Sequence, residues 1–204
     1  MNFKKALIEL SISDPRIGSL INEYGPPKFN LITNYYESLV RSIVYQQLSI
    51  RAAGTIYERL INLFKSTKFP NPEEVLAISP TALRSVGLSN QKVNYIRDLS
   101  EKWYQGQLDL SNIDSMTDEQ ISKELIKVKG IGQWTADMFL MFTLLRPDVF
   151  PYGDLAIQKG FKILNNMDRL PTLQEMEIKA EQWRPYRTIA AWYLWKIVDG
   201  PFEF

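Results

Sequence analysis

Between residues 70 and 126 the chain is punctuated by one device used again and again: a short polar residue that opens a helix. Pro70-Asn71-Pro72 reads as a loop whose second proline opens a helix over 73–77, because proline tolerates the first helical turn. Ser79-Pro80 repeats the device before Thr81–Val86. Gly87-Leu88-Ser89 reads as a helix stop followed by a cap for Gln91–Trp103, and Thr117 caps the segment ending at Ile126. Upstream, Leu39, Ile43, Ala52, Ile56, Leu60 and Leu63 keep helical spacing with an interruption near Ser49. No stretch alternates strictly enough for a strand, and no tandem repeat is evident. The expected fold is therefore all-α. Near the C-terminus, Trp183, Trp192 and Trp195 lie in an apolar segment whose plain reading is a buried helix.

Composition narrows the chemistry. The chain has no cysteine and no histidine. This removes thiol nucleophiles, zinc–thiolate sites and cysteine-held iron–sulfur clusters, and with them the commonest general base and metal ligand. Catalysis would have to run on carboxylates, lysines, tyrosines, backbone dipoles or water. With 204 residues there is room for one or two cores. No run approaches the roughly 20 apolar residues that span a membrane, and no targeting segment is evident. The net charge of +1 does not by itself point to nucleic acid; contacts with DNA would have to be local.

The segment with most to say is Val128-Lys129-Gly130-Ile131-Gly132-Gln133-Trp134-Thr135-Ala136. Helical patterns flank it, and two glycines permit a tight turn and a close approach to another surface. The second helix would begin with N–H groups suited to an anion such as a phosphate. Thr135 can add a hydroxyl, and Lys127 or Lys129 a charge. Carbonyls of such a turn can also converge on a cation. The bland alternative is an ordinary helix–turn–helix with a glycine cap. Downstream, Asp154 follows the turn-like Pro151-Tyr152-Gly153 and precedes a helical pattern over 155–164. Locally it reads as a helix N-cap.

Three blocks in order, Ile43-Val44-Tyr45-Gln46-Gln47-Leu48-Ser49, the glycine hairpin, and Asp148-Val149-Phe150-Pro151-Tyr152-Gly153-Asp154, resemble the helix-hairpin-helix (HhH-GPD) DNA glycosylase superfamily. That superfamily includes endonuclease III and 3-methyladenine DNA glycosylase II, and the resemblance is to the latter type. It covers roughly residues 36–200. It implies two helical lobes, one over 36–136 ending in the hairpin and one formed by 1–35 with 137–204. The hairpin and Asp154 would lie at the cleft between them, with no N-terminal β domain and the N-terminal helix on the C-terminal lobe.

The resemblance also implies site residues. Asp154 would be the catalytic carboxylate. Gly130, Gly132, Thr135 and Lys129 would meet the DNA backbone. Main-chain carbonyls of Ile126, Val128 and Ile131 would hold a monovalent cation, Na or K, with no other cofactor required and no iron–sulfur cluster. Leu48 would be the wedge that fills the stack, with Gln47 beside it. Where endonuclease III types carry a Schiff-base lysine, this chain has Trp134, which cannot be a nucleophile. That implies a monofunctional enzyme. An alkylated purine is already cationic and leaves readily, so one carboxylate can suffice against the oxocarbenium charge. Trp134, Tyr186 and Met138 are the candidates for the base pocket, since aromatic faces attract a flat cation.

The expected function is removal of alkylated purines (3-methyladenine or 7-methylguanine type) from double-stranded DNA, by a monomer, in base excision repair. The place of action would be the nucleoid-associated cytoplasm of a prokaryote or a eukaryotic nucleus. A glycosylase for an oxidised or deaminated base, or a DNA-binding module without catalysis, are the alternatives.

Overall fold

The computed structural model describes residues 3–29, 32–64 and 68–199. Every regular element among them is helical, and no strand occurs. In chain order the helices are α1 (Phe3–Ser13), α2 (Pro15–Tyr24), α3 (Tyr35–Tyr45), α4 (Ile50–Asn62), α5 (Pro72–Ala77), α6 (Pro80–Ser85) and α7 (Asn90–Tyr104). Then come α8 (Asp118–Ile126), α9 (Gln133–Met138), a π-helical turn (Phe139–Thr143), α10 (Leu155–Leu164), α11 (Leu173–Ala180), a short 3-10 turn (Glu181–Trp183) and α12 (Arg187–Asp199).

The chain divides into two compact units, Ile32–Phe139, and Met1–Leu31 together with Leu140–Phe204. In the first, α3 packs on α4 and α7, α5 and α6 pack on α7, and α8 packs on α9. Leu39, Val40, Ile43, Leu60, Leu83, Ile96 and Leu99 are buried. Each such side chain contributes roughly 1.5–3 kcal/mol by leaving water.

In the second unit, α10 and α2 both pack on α12, and α1 packs on α2. Gly160 sets the closeness of α10 and α12: a Cβ there would lie 2.2 Å from Leu194 O. Polar bonds fasten the N-terminal helices to this unit. The Tyr193 hydroxyl donates to Gly25 O at 2.7 Å, and Trp183 Nε1 donates to Asp14 Oδ2 at 3.0 Å. Asp14 is 1% exposed. Burial alone would raise its carboxyl, but bonds from the Arg16 guanidinium and Trp183 outweigh that and hold it below the usual carboxylate range.

The helix starts follow local capping chemistry. Ser49, Ser79, Ser89 and Thr117 each accept a backbone N–H three residues on. Asn71 forms a full capping box with Glu74. Among the described residues no helix is long and apolar enough to cross a membrane.

Candidate functional site

The hairpin lies in the unit 32–139. Helix α8 ends at Ile126, and Ile131 N–H donates to Val128 O at 3.1 Å across the turn. Gly130 has φ +81, and a Cβ on it would fall 2.1 Å from Tyr95 Cδ2. Glycine is needed there twice over, for the left-handed backbone and for the aromatic ring against it. A Cβ at Gly132 would meet nothing within 4 Å, so the approach to the start of α9 is open on that side. Gly132 is the N-cap of α9, and no side chain caps that helix.

Trp134, in the first turn of α9, is 44% exposed. Met138, one turn on, is buried. Thr135 is only 3% exposed, and its hydroxyl accepts the Gln46 side-chain amide at 3.3 Å. Contact of Thr135 with a phosphate would therefore run through the main chain rather than the hydroxyl. Lys129 is exposed but anchored: its N–H donates to Asp98 Oδ2 at 2.9 Å, and its Nζ stands 3.7 Å from Asp98 Oδ1. Lys127 pairs with Glu124.

The segment after α3 lies in the same unit. Gln47 and Leu48 are exposed, Leu48 by 40%. Gln47 has φ +56, a conformation that costs a side-chain-bearing residue roughly 1–2 kcal/mol. The flanks are tied down. Gln46 Nε2 donates to Gly130 O at 2.9 Å, joining this turn to the hairpin. Lys92 Nζ donates to Val44 O and to Gln46 O, both at 2.7 Å. Burial lowers the Lys92 ammonium below its ordinary range.

Three residues on one face of α7 thus support both segments. Lys92, Tyr95 and Asp98 follow one another at a spacing of three. Lys92 holds the turn after α3, the Tyr95 ring lies against Gly130, and Asp98 receives Lys129 N–H. Burial would raise the Asp98 carboxyl, but Lys102, the Lys129 N–H and the two lysine charges together hold it below the usual carboxylate range.

Asp154 lies in the other unit, where it is the N-cap of α10. Its Oδ1 accepts Ile157 N–H at 2.9 Å and Trp195 Nε1–H at 3.3 Å. These two bonds fix the orientation of the carboxylate. The preceding loop is fastened to α12. Arg187 donates to Asp148 Oδ1 at 2.7 Å, to Asp148 O at 2.9 Å and to the Tyr152 hydroxyl at 3.1 Å. The Thr188 hydroxyl accepts Val149 N–H at 3.0 Å and donates to Arg146 O at 2.6 Å. Tyr186, just before α12, is half-buried, with its N–H on Trp183 O at 2.7 Å.

Residues 40–185 match the HhH-GPD superfamily of base excision DNA repair proteins. The chain belongs to that superfamily. It is 34% identical over 196 residues to DNA-3-methyladenine glycosylase 1 of Schizosaccharomyces pombe, covering 94% of this chain and 86% of that protein. The solved structure of the Schizosaccharomyces pombe 3-methyladenine DNA glycosylase in complex with abasic DNA superposes with a TM-score of 0.82 at 32% identity, over 98% of this chain and 100% of that one. DNA-3-methyladenine glycosidase from Bacillus halodurans gives a TM-score of 0.84 at 36% identity, over 95% and 89%.

Within this HhH-GPD chain, sequence reasoning singled out the hairpin, Trp134 and Asp154 as candidates but passed over Gln46, Lys92, Tyr95, Asp98, Arg187 and Trp195 as partners of those segments. For Lys92, Tyr95 and Asp98 a signal existed in their common helix face. For Trp195 there was none, because a tryptophan in an apolar helix reads as core, and it is buried.

Proposed function

We propose that this HhH-GPD protein is a monofunctional DNA glycosylase that excises alkylated purines of the 3-methyladenine and 7-methylguanine type by hydrolysing the N-glycosidic bond. The observation that carries the proposal is Asp154, a carboxylate fixed by two N–H donors at the start of α10. The relatives named as 3-methyladenine glycosylases support the same substrate class.

In the proposed reaction the target base is turned out of the duplex, because its bond cannot be reached inside the stack. The C1′–N bond breaks with its electron pair leaving on the base, which is already cationic and becomes neutral. Positive charge builds on the sugar, and the Asp154 carboxylate stabilises it. A water oxygen bonds to C1′, gives up a proton, and leaves an abasic site. Asp154 accepts or directs that proton. The Trp134 ring stacks on the cationic base, an attraction worth roughly 0.5–2 kcal/mol, and Tyr186 and Met138 are the further candidates for contact with it. Trp134 has no amine, so no Schiff base forms and the strand stays intact.

Gly130, Gly132, the Thr135 main chain and Lys129 hold the DNA backbone, and Leu48 with Gln47 fills the gap in the stack. The main-chain carbonyls of Ile126, Val128 and Ile131, at the end of α8 and in the turn after it, would supply neutral oxygen donors. That set suits Na or K better than a transition metal. Held by those carbonyls, such an ion would supply positive charge that favours a nearby DNA phosphate. Among the described residues no cluster of three or more acidic side chains offers a metal site. The protein acts as a monomer on alkylated double-stranded DNA, in the nucleoid-bearing cytoplasm of a prokaryote or the nucleus of a eukaryote.

The test is single-turnover incubation with duplexes carrying one 3-methyladenine-type, hypoxanthine, uracil or 8-oxoguanine lesion. Release of the alkylated base, with nicking only after alkali, is expected. Asp154→Asn keeps a good helix cap, so it should bind DNA normally and lose at least about 10²–10³-fold in excision rate. Wild-type turnover by that variant, or nicking without alkali, overturns the proposal.

A further inference from the structure

The turn after α3 is built in an unusual way. A helix leaves its last carbonyls without partners, and glycine in a left-handed conformation commonly closes such an end. Here the left-handed position is Gln47, a residue with a side chain. Leu48 N–H reaches back to Tyr45 O at 3.3 Å, and the exposed tip consists of Gln47, Leu48 and Ser49. The strained residue and the proposed wedge are therefore neighbours, and something must hold their flanks.

Lys92 does so from α7. Its half-buried ammonium donates to Val44 O on one side of the turn and to Gln46 O on the other. An ammonium placed there forgoes part of its hydration and points two N–H donors at neutral carbonyls. Simple capping of α3 needs no charge. A charge at this point makes sense where the turn must resist a load, and a side chain pushed between stacked bases bears one. Gln46 passes the same constraint to the hairpin through Gly130 O.

We propose that Lys92 is a positioning residue for base extrusion, holding the Gln46–Leu48 turn in the shape from which Leu48 enters the base stack. The inference rests on Leu48 being the wedge. It makes a demand that a purely structural lysine does not: loss of Lys92 should hurt most where the lesion base is stacked and paired, and little where the base is already extruded.

The experiment compares single-turnover excision of one alkylated base in a fully paired duplex and in a one-nucleotide bulge, where little unpairing is needed. For Lys92→Met the paired-duplex rate is expected to fall about 10- to 100-fold, and the bulge rate to stay within about 3-fold of wild type. Leu48→Ala, run in parallel, should shift the same ratio. Equal loss on both substrates, or no change on either, assigns Lys92 to the fold alone and overturns the inference. If Leu48→Ala shifts the ratio and Lys92→Met does not, the wedge stands and the role of Lys92 fails. If Leu48→Ala leaves the ratio at its wild-type value, the wedge reading fails and the inference fails with it. Thermal melting accompanies each variant. Should Lys92→Met melt below the assay temperature, Lys92→Gln, which keeps a neutral donor, is judged by the same ratio.

Discussion

Asp137 lies one helical turn beyond Trp134, half-buried, with Oδ1 accepting the Gln133 side-chain amide at 2.7 Å. Burial pushes its carboxyl up to about 6; the negative charge of Asp118 adds to the rise and the Gln133 bond opposes it. A carboxyl raised from 3.8 to about 6 favours the protonated folded state. The stability it contributes is present below about pH 4 and lost as pH rises through about 6. At pH 7.5 the wild type carries a buried charge that Asp137→Asn does not. That variant should be more stable at pH 7.5 by roughly 1–3 kcal/mol, or about 2–12 °C in melting temperature. The gain should fade by pH 4. Melting curves from pH 4 to 8 decide it, and a gain independent of pH refutes the assignment. Asp154 teaches a different lesson at this scale. Local sequence reads it as a cap, and a cap it is, yet the second donor on Oδ1, Trp195, lies 41 residues away. Thr135 was legible as a hydroxyl near the hairpin but not as a buried one bonded to Gln46, which lies 89 residues back, just after α3.

Helices were the most legible elements. Ser79, Ser89 and Thr117 announce α6, α7 and α8 because a cap bonds only three residues ahead. The interruption near Ser49 is the break between α3 and α4, with Ser49 as cap. Less legible was how helices meet. Nothing around Gly160 says that α12 lies against it, since a glycine inside a helical pattern is locally only a weak point. In the fold it admits Leu194 O where any Cβ would collide. Gly160→Ala should therefore destabilise the protein by roughly 1–3 kcal/mol, although alanine favours helices. A melting temperature equal to or above wild type would show that α10 and α12 can separate freely. The same contact lets Trp195 reach Asp154, so excision by Gly160→Ala should fall more than its loss of folded protein explains. The helical pattern after the hairpin runs on through Phe139, Leu140 and Phe142, but nothing in it marks the π-helical turn at Phe139–Thr143.

At the scale of the whole molecule, a net charge of +1 sets the character of DNA binding. Lys127 and Lys129 at the hairpin are already paired with Glu124 and Asp98, so few phosphates are neutralised by unpaired cations and few counterions are released. The logarithm of affinity against the logarithm of salt should fall with a slope shallower than about −5. A steeper slope in a salt titration would reveal a basic surface that the charge count hides. The all-α class, the glycine hairpin, the absence of thiol and imidazole chemistry, and the choice of Trp134 and Asp154 as candidate reagents came from the sequence alone. Each depends on residue type or on bonds spanning three or four positions. Only the tertiary structure decided which polar side chains serve those reagents. Lys92 braces a turn 46 residues back, Arg187 holds a loop 39 residues back, and α12 delivers Trp195 to Asp154. In a linear pattern these look like solvated charges and core aromatics. Long-range packing, which no local spacing encodes, turns them into supports for the hairpin and the carboxylate.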